Sequence, residues 1–447
     1  MGLDHAAAPR AGYPRVPESQ ALPLRGDPMS GERYYSPEFA QREWDHMWTK
    51  VWHVGGRTAE LQEAGDFIVH NLLYESVILM RQQDGSIKAF YNSCQHRGNR
   101  LVWHKSGSVE RGLACAYHGW LWGLDGTLKD AQDPHDFPQG NPCGKLKLKE
   151  LPCATWGGFV WYSMDLNAKP LLEYLYPIPE LFASRDLANY TRVVWLTVTV
   201  RTNWKFSPDN FNESYHLPTV HPQMRQMIDE DYRNTVFEMY PNGHNRMIEQ
   251  GQPSMRANHP NEVEPVWEMM LKEWGLDPAS FAGRAREGRR ALQLQKRRLA
   301  PERGCHHLAA LYDDELTDYF HHTLFPNVTL TGTPDGVHFF RTEPVAGDPD
   351  SCTFDYWYLV PKIEGRSEVP TVYGMRPYAE AEHEETEYGT ARYGHHLGDF
   401  IDQDLSVAVA QQQGFRSRGY ADSYLSGQES RVRRFHEVLN DYLEGRR

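Results

Sequence analysis

Two short stretches, Cys94-Gln95-His96-Arg97-Gly98 and Cys115-Ala116-Tyr117-His118-Gly119-Trp120, constrain this chain more than any other part of it. Each brings one thiol and one imidazole into a single loop. Two Cys and two His can hold zinc tetrahedrally, so a structural zinc site is the first competitor. A zinc finger pairs Cys with Cys and His with His, however, and these loops mix them. Mixing suits a [2Fe–2S] cluster in which one iron takes both Cys and the other takes both His.

The wording around these residues, Cys-x-His-Arg-Gly and then Cys-x-Tyr-His-Gly-Trp, resembles the Rieske domain of ring-hydroxylating oxygenases. That resemblance implies that Cys94, His96, Cys115 and His118 ligate a Rieske [2Fe–2S] cluster. The flanking pattern is short and β-like: 66–69, 76–80 and 87–91 read as strands, Asp84-Gly85 as a turn and 122–127 as a hairpin. An all-β Rieske domain is therefore expected over residues 51–165, with residues 1–50 as an N-terminal arm and helix packing on the second domain. Within that segment 1–33 is rich in Pro, Gly and Arg without periodicity, an irregular arm. Ser36-Pro37 starts a helix, with Ala40, Trp44, Met47, Trp48 and Val51 at helical spacing.

Residues 166–447 need another task. They open with a strand-like run over 192–200, pass through a charged, helix-rich stretch over 258–320, and return to long alternating strands over 322–361. The end is helical, with Ser426-Gly427-Gln428-Glu429 as a capping box. Arg284, Arg286, Arg289, Arg290, Lys296, Arg297 and Arg298 make a basic run in a chain of net charge −13. It reads as a solvated helix face, or else as a docking patch for an acidic electron carrier.

The informative stretch is 203–222, which contains Asn203-Trp204-Lys205, Asn210, Glu213, Tyr215-His216 and His221-Pro222. Two His four residues apart can converge on one metal if a helix ends between them, and Pro218 suits such an ending. Two His and one carboxylate form the facial triad of non-haem Fe(II) oxygenases, which leaves coordination positions open. Asn-Trp-Lys … Tyr-His … His-Pro is similar to the catalytic domain of Rieske non-haem iron oxygenase α subunits. The likeness runs from about Glu38 to the C-terminus.

It implies an α+β protein: the all-β Rieske domain plus a helix-grip catalytic domain, an antiparallel sheet with helices, carrying a mononuclear iron. His216 and His221 become iron ligands. The third ligand in the family is an acid on a late helix upstream of a Gln and a Gly; Asp404 fits its spacing to Gln412 better than Asp402 does. Glu213 matches an acid that, in the family, bridges a Rieske His of one subunit to an iron-ligand His of its neighbour, here His118 and His216. Asn210 corresponds to a polar residue near the iron in relatives.

The resemblance further implies a terminal oxygenase fed from NAD(P)H by a separate reductase, with or without a ferredoxin. No Gly-rich dinucleotide fingerprint opens a βαβ unit in this sequence. A homotrimer is expected, with a small β subunit left open. The substrate would be an aromatic or polycyclic compound that is mono- or dihydroxylated, or alternatively a methylated or quaternary amine. A non-catalytic electron carrier is the remaining alternative, and it would leave His216, His221 and Asp404 without purpose. Candidate pocket residues are Met224, Met227, Phe237, Met239, Phe325, Phe339 and Phe340. The acidic charge argues against nucleic acid or an anionic membrane surface as partner. Neither an apolar run of membrane-spanning length nor a signal peptide is expected. Cys143, Cys153, Cys305 and Cys352 read as free thiols of a cytoplasmic enzyme.

Overall fold

The structure, a computed structural model, describes residues 12–14, 23–389 and 399–447, so much of the expected arm lies outside the described residues. The chain forms two compact units: Arg42–Tyr176, and Pro177–Arg447 together with the segment before residue 42. The first unit thus extends beyond the expected 51–165 at both ends. Helix α1 (Pro37–Glu43) is capped by Ser36, whose Oγ accepts from the Phe39 N–H at 3.2 Å. It runs on as one wider π turn over Trp44–Trp48. Trp44 packs edge-on against Tyr74 at 5.3 Å, and His53 Nε2 donates to the Trp48 carbonyl at 2.7 Å. Near the other boundary, Trp52 Nε1 donates to the Lys169 carbonyl at 3.0 Å.

Within this unit the strands are β1 (Trp52–Arg57), β2 (Asp66–Leu72), β3 (Glu75–Arg81), β4 (Ile87–Tyr91), β5 (Ser106–Ser108), β6 (Leu113–Ala114), β7 (Leu121–Trp122), β8 (Leu128–Asp130), β9 (Glu150–Leu151), β10 (Cys153–Trp156) and β11 (Phe159–Ser163). They form three sheets, β5-β2-β3-β4-β9, β1-β11-β10 and β6-β7-β8. Phe67, Ile78, Met80, Phe90 and Trp122 fill a core beneath the two cluster loops, one between β4 and β5, the other between β6 and β7.

The second unit is built on an eight-stranded sheet. Its strands are β12 (Thr191–Val200), β13 (Val236–Met239), β14 (Asn245–Glu249), β15 (Tyr319–Leu324), β16 (Val328–Thr333), β17 (Gly336–Val345) and β18 (Asp348–Val360). β19 (Glu368–Thr371) and β20 (Gly374–Pro377) pair as a separate hairpin, and β21 (Glu384–Glu387) closes the large sheet. Its order is β13-β14-β15-β16-β17-β18-β12-β21, antiparallel throughout except for a parallel β12–β21 edge. Alternation along β17 sends neighbours to opposite faces. Phe339 stacks on Trp357 at 4.2 Å, and Phe340 stacks on Phe211 at 4.5 Å.

Helices α2 (Phe206–Phe211), α3 (Leu217–Val220), α4 (Gly288–Leu299), α5 (Asp399–Phe415) and α6 (Ser430–Leu443) belong to this unit. The Ser426–Glu429 capping box is formed and leads into α6. None of the described helices is long and apolar enough to cross a membrane.

Much of the basic run is paired within the fold, while Arg284, Arg290 and Arg298 stay exposed. Arg289 binds Asp314 at 2.7 Å and Asp318 at 2.6 Å, while Arg290 and Arg297 share Asp313 at 3.1 and 3.0 Å. Arg286 pairs with Asp229 at 2.8 Å, and Lys296 donates to the Leu316 carbonyl at 2.8 Å. The acids that neutralise α4 lie in other segments, out of reach of a local charge count. Removing one member of a buried ion pair strands the other. Arg297→Ala should therefore lower stability by about 3–5 kcal/mol, read as a fall in Tm. An unchanged Tm would return α4 to the surface-patch reading.

Candidate active site

The two cluster loops have the same local geometry. The Gly98 N–H donates to the Cys94 carbonyl and the Gly119 N–H to the Cys115 carbonyl, each at 2.9 Å. Both glycines sit in the left-handed region, φ 74° and 70°, where a side chain would strain the turn. Cys94 and Cys115 are buried free thiols. Burial opposes a Cys115 thiolate, but the Tyr117 and His118 N–H groups and the Asn99 amide outweigh it and draw that thiol below its usual range. The His96 and His118 rings stand 4.6 Å apart, and His96 stacks on Trp120 at 4.4 Å. Nδ1 of both histidines is buried with no hydrogen-bond partner among the described residues. Two buried thiols and two orphaned ring nitrogens, one of each per loop, are the donor set a Rieske cluster needs.

In the second unit, ligand atoms of His216, His221 and Asp404 lie within 4.8 Å of one another. Asp404 Oδ1 is 2.8 Å from His221 Nε2 and 3.7 Å from His216 Nε2. Asp402, two residues earlier on α5, lies outside this group. The two histidines flank the single turn α3, with His216 before its first residue and His221 after its last. Pro218 therefore opens a helical turn rather than ending one, as suits a residue with no N–H to leave unpaired there.

Each histidine is oriented from behind. His216 Nδ1–H donates to Glu213 Oε1 at 2.6 Å, and Glu213 Oε2 accepts the His216 main-chain N–H at 3.0 Å. His221 Nδ1–H donates to Gln403 Oε1 at 2.7 Å, and Gln403 also accepts from Gln223 Nε2 at 2.8 Å. These bonds assign the proton to Nδ1 and leave both Nε2 lone pairs for a metal. Burial disfavours a charged His216, but the Glu213 hydrogen bond and the charges of Glu213, Asp404 and Glu249 outweigh it, raising the metal-free ring to about 9. A site that attracts positive charge this strongly fits a divalent cation. Behind α5, Gln412 accepts the Asn203 N–H at 3.0 Å and donates to the Tyr34 carbonyl at 3.0 Å, fixing the helix that carries Asp404.

The triad opens on a cavity of about 530 Å³. Glu213 and Asn210 line it, as do Met224, Met227 and Phe340 among the expected pocket residues. Met239, Phe325 and Phe339 belong instead to the buried core, and Phe237 does not line the cavity. Across the sheet the cavity meets a row of cross-strand neighbours, Met247–His321–Thr331–His338–Tyr358. Burial pushes His338 down to about 4, so it stands as a neutral ring, hydrogen-bonded to the Tyr356 hydroxyl at 2.9 Å. Sequence reasoning missed Gln403, Glu249 and this row. The Tyr319-x-His321 and His338-x-Phe340 alternation was the available signal.

Gln403→Leu should keep the cluster loops intact yet weaken metal binding at the triad by roughly 10–100-fold, because His221 loses the acceptor that fixes its tautomer. Titration of chelator-stripped protein with Co(II) measures this, and an unchanged affinity would remove Gln403 from the site.

Comparison with known proteins agrees with this architecture. The family model described as "Ring hydroxylating alpha subunit (catalytic domain)" matches residues 187–445, and that of the "Rieske [2Fe-2S] domain" matches 51–149. The chain belongs to the ring-hydroxylating α-subunit family, whose two domain types hold a Rieske cluster and a mononuclear iron. It is 29% identical over 202 residues to the carnitine monooxygenase oxygenase subunit of Escherichia coli (strain K12), covering 44% of this chain and 54% of that protein. It thus spans about half the length of the curated relatives it matches. Its fold is similar to a quaternary ammonium Rieske monooxygenase (TM-score 0.65, 18% identity, 93% of this chain and 95% of that one). It is likewise similar to naphthalene 1,2-dioxygenase with indole bound (TM-score 0.66, 19% identity, 94% and 93%).

Proposed function

We propose that this chain is the terminal oxygenase of a Rieske-type system, acting on a small organic molecule with O2. The observation that carries the reading is the convergence of His216, His221 and Asp404 at an apolar cavity. Cys94, His96, Cys115 and His118 would hold the cluster, and the triad would hold Fe(II). Bound there, the iron supplies O2 activation and the cluster supplies electrons. The protein's own part is positional. Glu213 and Gln403 lock the ligand tautomers, Met224, Met227 and Phe340 shed water from the substrate, and Asn210 places a polar group at the cavity wall.

A separate reductase, with or without a ferredoxin, would deliver electrons from NAD(P)H. A homotrimer in the cytoplasm is the expected working form, the four thiols outside the cluster loops, Cys143, Cys153, Cys305 and Cys352, suiting a reducing compartment. Of the two substrate classes, the lining favours the amine. It contains the carboxylates of Glu213, Glu249, Asp335 and Asp404 and, among the described residues, no Lys or Arg. The carnitine-oxidising relative points the same way. Hydroxylation of an aromatic compound is the second reading, favoured by the Phe and Met lining.

The test is a substrate panel of N-methylated amines and aromatic hydrocarbons, with a surrogate reductase and labelled O2, read by mass spectrometry. Labelled product from an amine is expected. Product from aromatics alone would select the second reading, and no O2-dependent product from iron-replete protein would reject both.

A further inference from the structure

The row His321–Thr331–His338–Tyr358 that meets the cavity is unevenly satisfied. His321 is engaged through both ring nitrogens: Nδ1 bonds Thr331 Oγ1 at 2.9 Å, and Nε2 faces Glu249 Oε2 at 3.5 Å. His338, two strands further on, is not. Its Nδ1 meets the Tyr356 hydroxyl at 2.9 Å, and its Nε2 has no hydrogen-bond partner among the described residues. The residue is half-buried rather than sealed, and Nε2 keeps accessible surface in the cavity that His338 lines.

The position of the ring proton follows from Tyr356. That side chain is fully buried, and its hydroxyl meets nothing among the described residues except His338 Nδ1. A buried O–H left without an acceptor is costly, so the hydroxyl donates and Nδ1 accepts. Burial and the neighbouring His321 hold the ring neutral against the pull of Asp335. A neutral imidazole carries one proton, which this bond places on Nε2. The cavity wall therefore presents an N–H with no acceptor. Beside it, Tyr358 stacks on His338 at 4.5 Å, and its hydroxyl also lacks a hydrogen-bond partner among the described residues.

Charge limits what this N–H can meet. The lining holds no Lys or Arg among the described residues, and the carboxylate of Asp335 acts on both His338 and Tyr358. An anionic acceptor would enter against that charge with no cation to offset its desolvation. An uncharged oxygen meets no such cost.

We propose that the substrate carries a neutral carbonyl group, as in a ketone or amide, and that His338 Nε2–H donates to its oxygen. This deepens the oxygenase reading and rests on it. The second lone pair of that oxygen stays open to the Tyr358 hydroxyl. The donor holds one end of the molecule, and the carbon to be oxidised lies in the space shared with the triad.

The test uses the iron-replete holoenzyme and three probes of one shape: para-dimethylaminoacetophenone, its para-isopropenyl analogue with no acceptor oxygen, and anionic para-dimethylaminobenzoate. Binding is read by calorimetry, and oxidation by mass spectrometry with a surrogate reductase. The ketone should bind about tenfold tighter than either other probe, the value of one hydrogen bond to a neutral acceptor. His338→Phe should erase that preference while leaving the isopropenyl compound's affinity unchanged. Equal affinity for ketone and alkene in the unmodified protein, tightest binding of the anion, or no binding of any probe at millimolar concentration would overturn the proposal without any variant having to fold. A ketone preference that survives in folded His338→Phe protein would overturn it as well. Preference without oxidation of any probe keeps the His338 site and removes the oxygenase reading. Oxidation without preference does the reverse.

Discussion

Asp404→Ala should abolish turnover while leaving the cluster's visible spectrum unchanged. Asp404 is the only carboxylate in the three-ligand group, with Oδ1 2.8 Å from His221 Nε2 and 3.7 Å from His216 Nε2. Without it, two neutral imidazoles remain, a weak set for a hard divalent ion that the facial triad holds with one anionic oxygen. The cluster loops lie in the other compact unit, so their ligands are untouched by the substitution. Iron per chain should fall by one, and activity should fall to background. Retained turnover would move the third ligand elsewhere, with Asp402 the next acid to test.

Glu213→Gln should separate metal binding from turnover. Its carboxylate accepts from both Nδ1 and the main-chain N–H of His216, at 2.6 and 3.0 Å. A glutamine can turn its carbonyl oxygen to Nδ1 and preserve the tautomer, so both metal centres should stay loaded. What it cannot do is accept a second imidazole N–H as an anion, the bridging role that the family resemblance implies between His118 of one subunit and His216 of the next. Loss of a partner of this kind is worth roughly 10–100-fold, and loss of electron entry would add to it. Turnover with the normal reductase should therefore fall by about two orders of magnitude, with iron content and cluster spectrum unchanged. Unchanged turnover would refute the bridging role. Loss of iron would show that Glu213 acts on the ligand alone.

The parts of the site that could be read from the sequence are those written locally. The cluster loops are two short turns, each closed by a Gly at positive φ, and residue type, spacing and turn chemistry all stand in the sequence. His216 and His221 stand in one motif, but the turn between them was misread because Pro218 can either end a helix or open one. Asp404 needed the family likeness, since nothing in the sequence itself ties a residue to a histidine 183 positions away.

Gln403 looked like a spacer between two acids until the fold turned it toward His221. The same limit explains α4. Its arginines look like an unpaired basic face because Asp313, Asp314 and Asp318 join them only through tertiary packing. Glu249 sits in a strand buried along its whole length, Asn245–Glu249, where alternation gives no sign of which side chain meets a cavity.

Iron analysis of the purified, cluster-replete chain tests the central claim most directly. Three irons per chain are expected, two in the Rieske cluster and one at the triad. A chelator should remove the third with loss of O2-dependent oxidation, and added Fe(II) should restore it. Two irons per chain, with none removable and turnover unaffected by the chelator, would contradict a mononuclear iron at His216, His221 and Asp404.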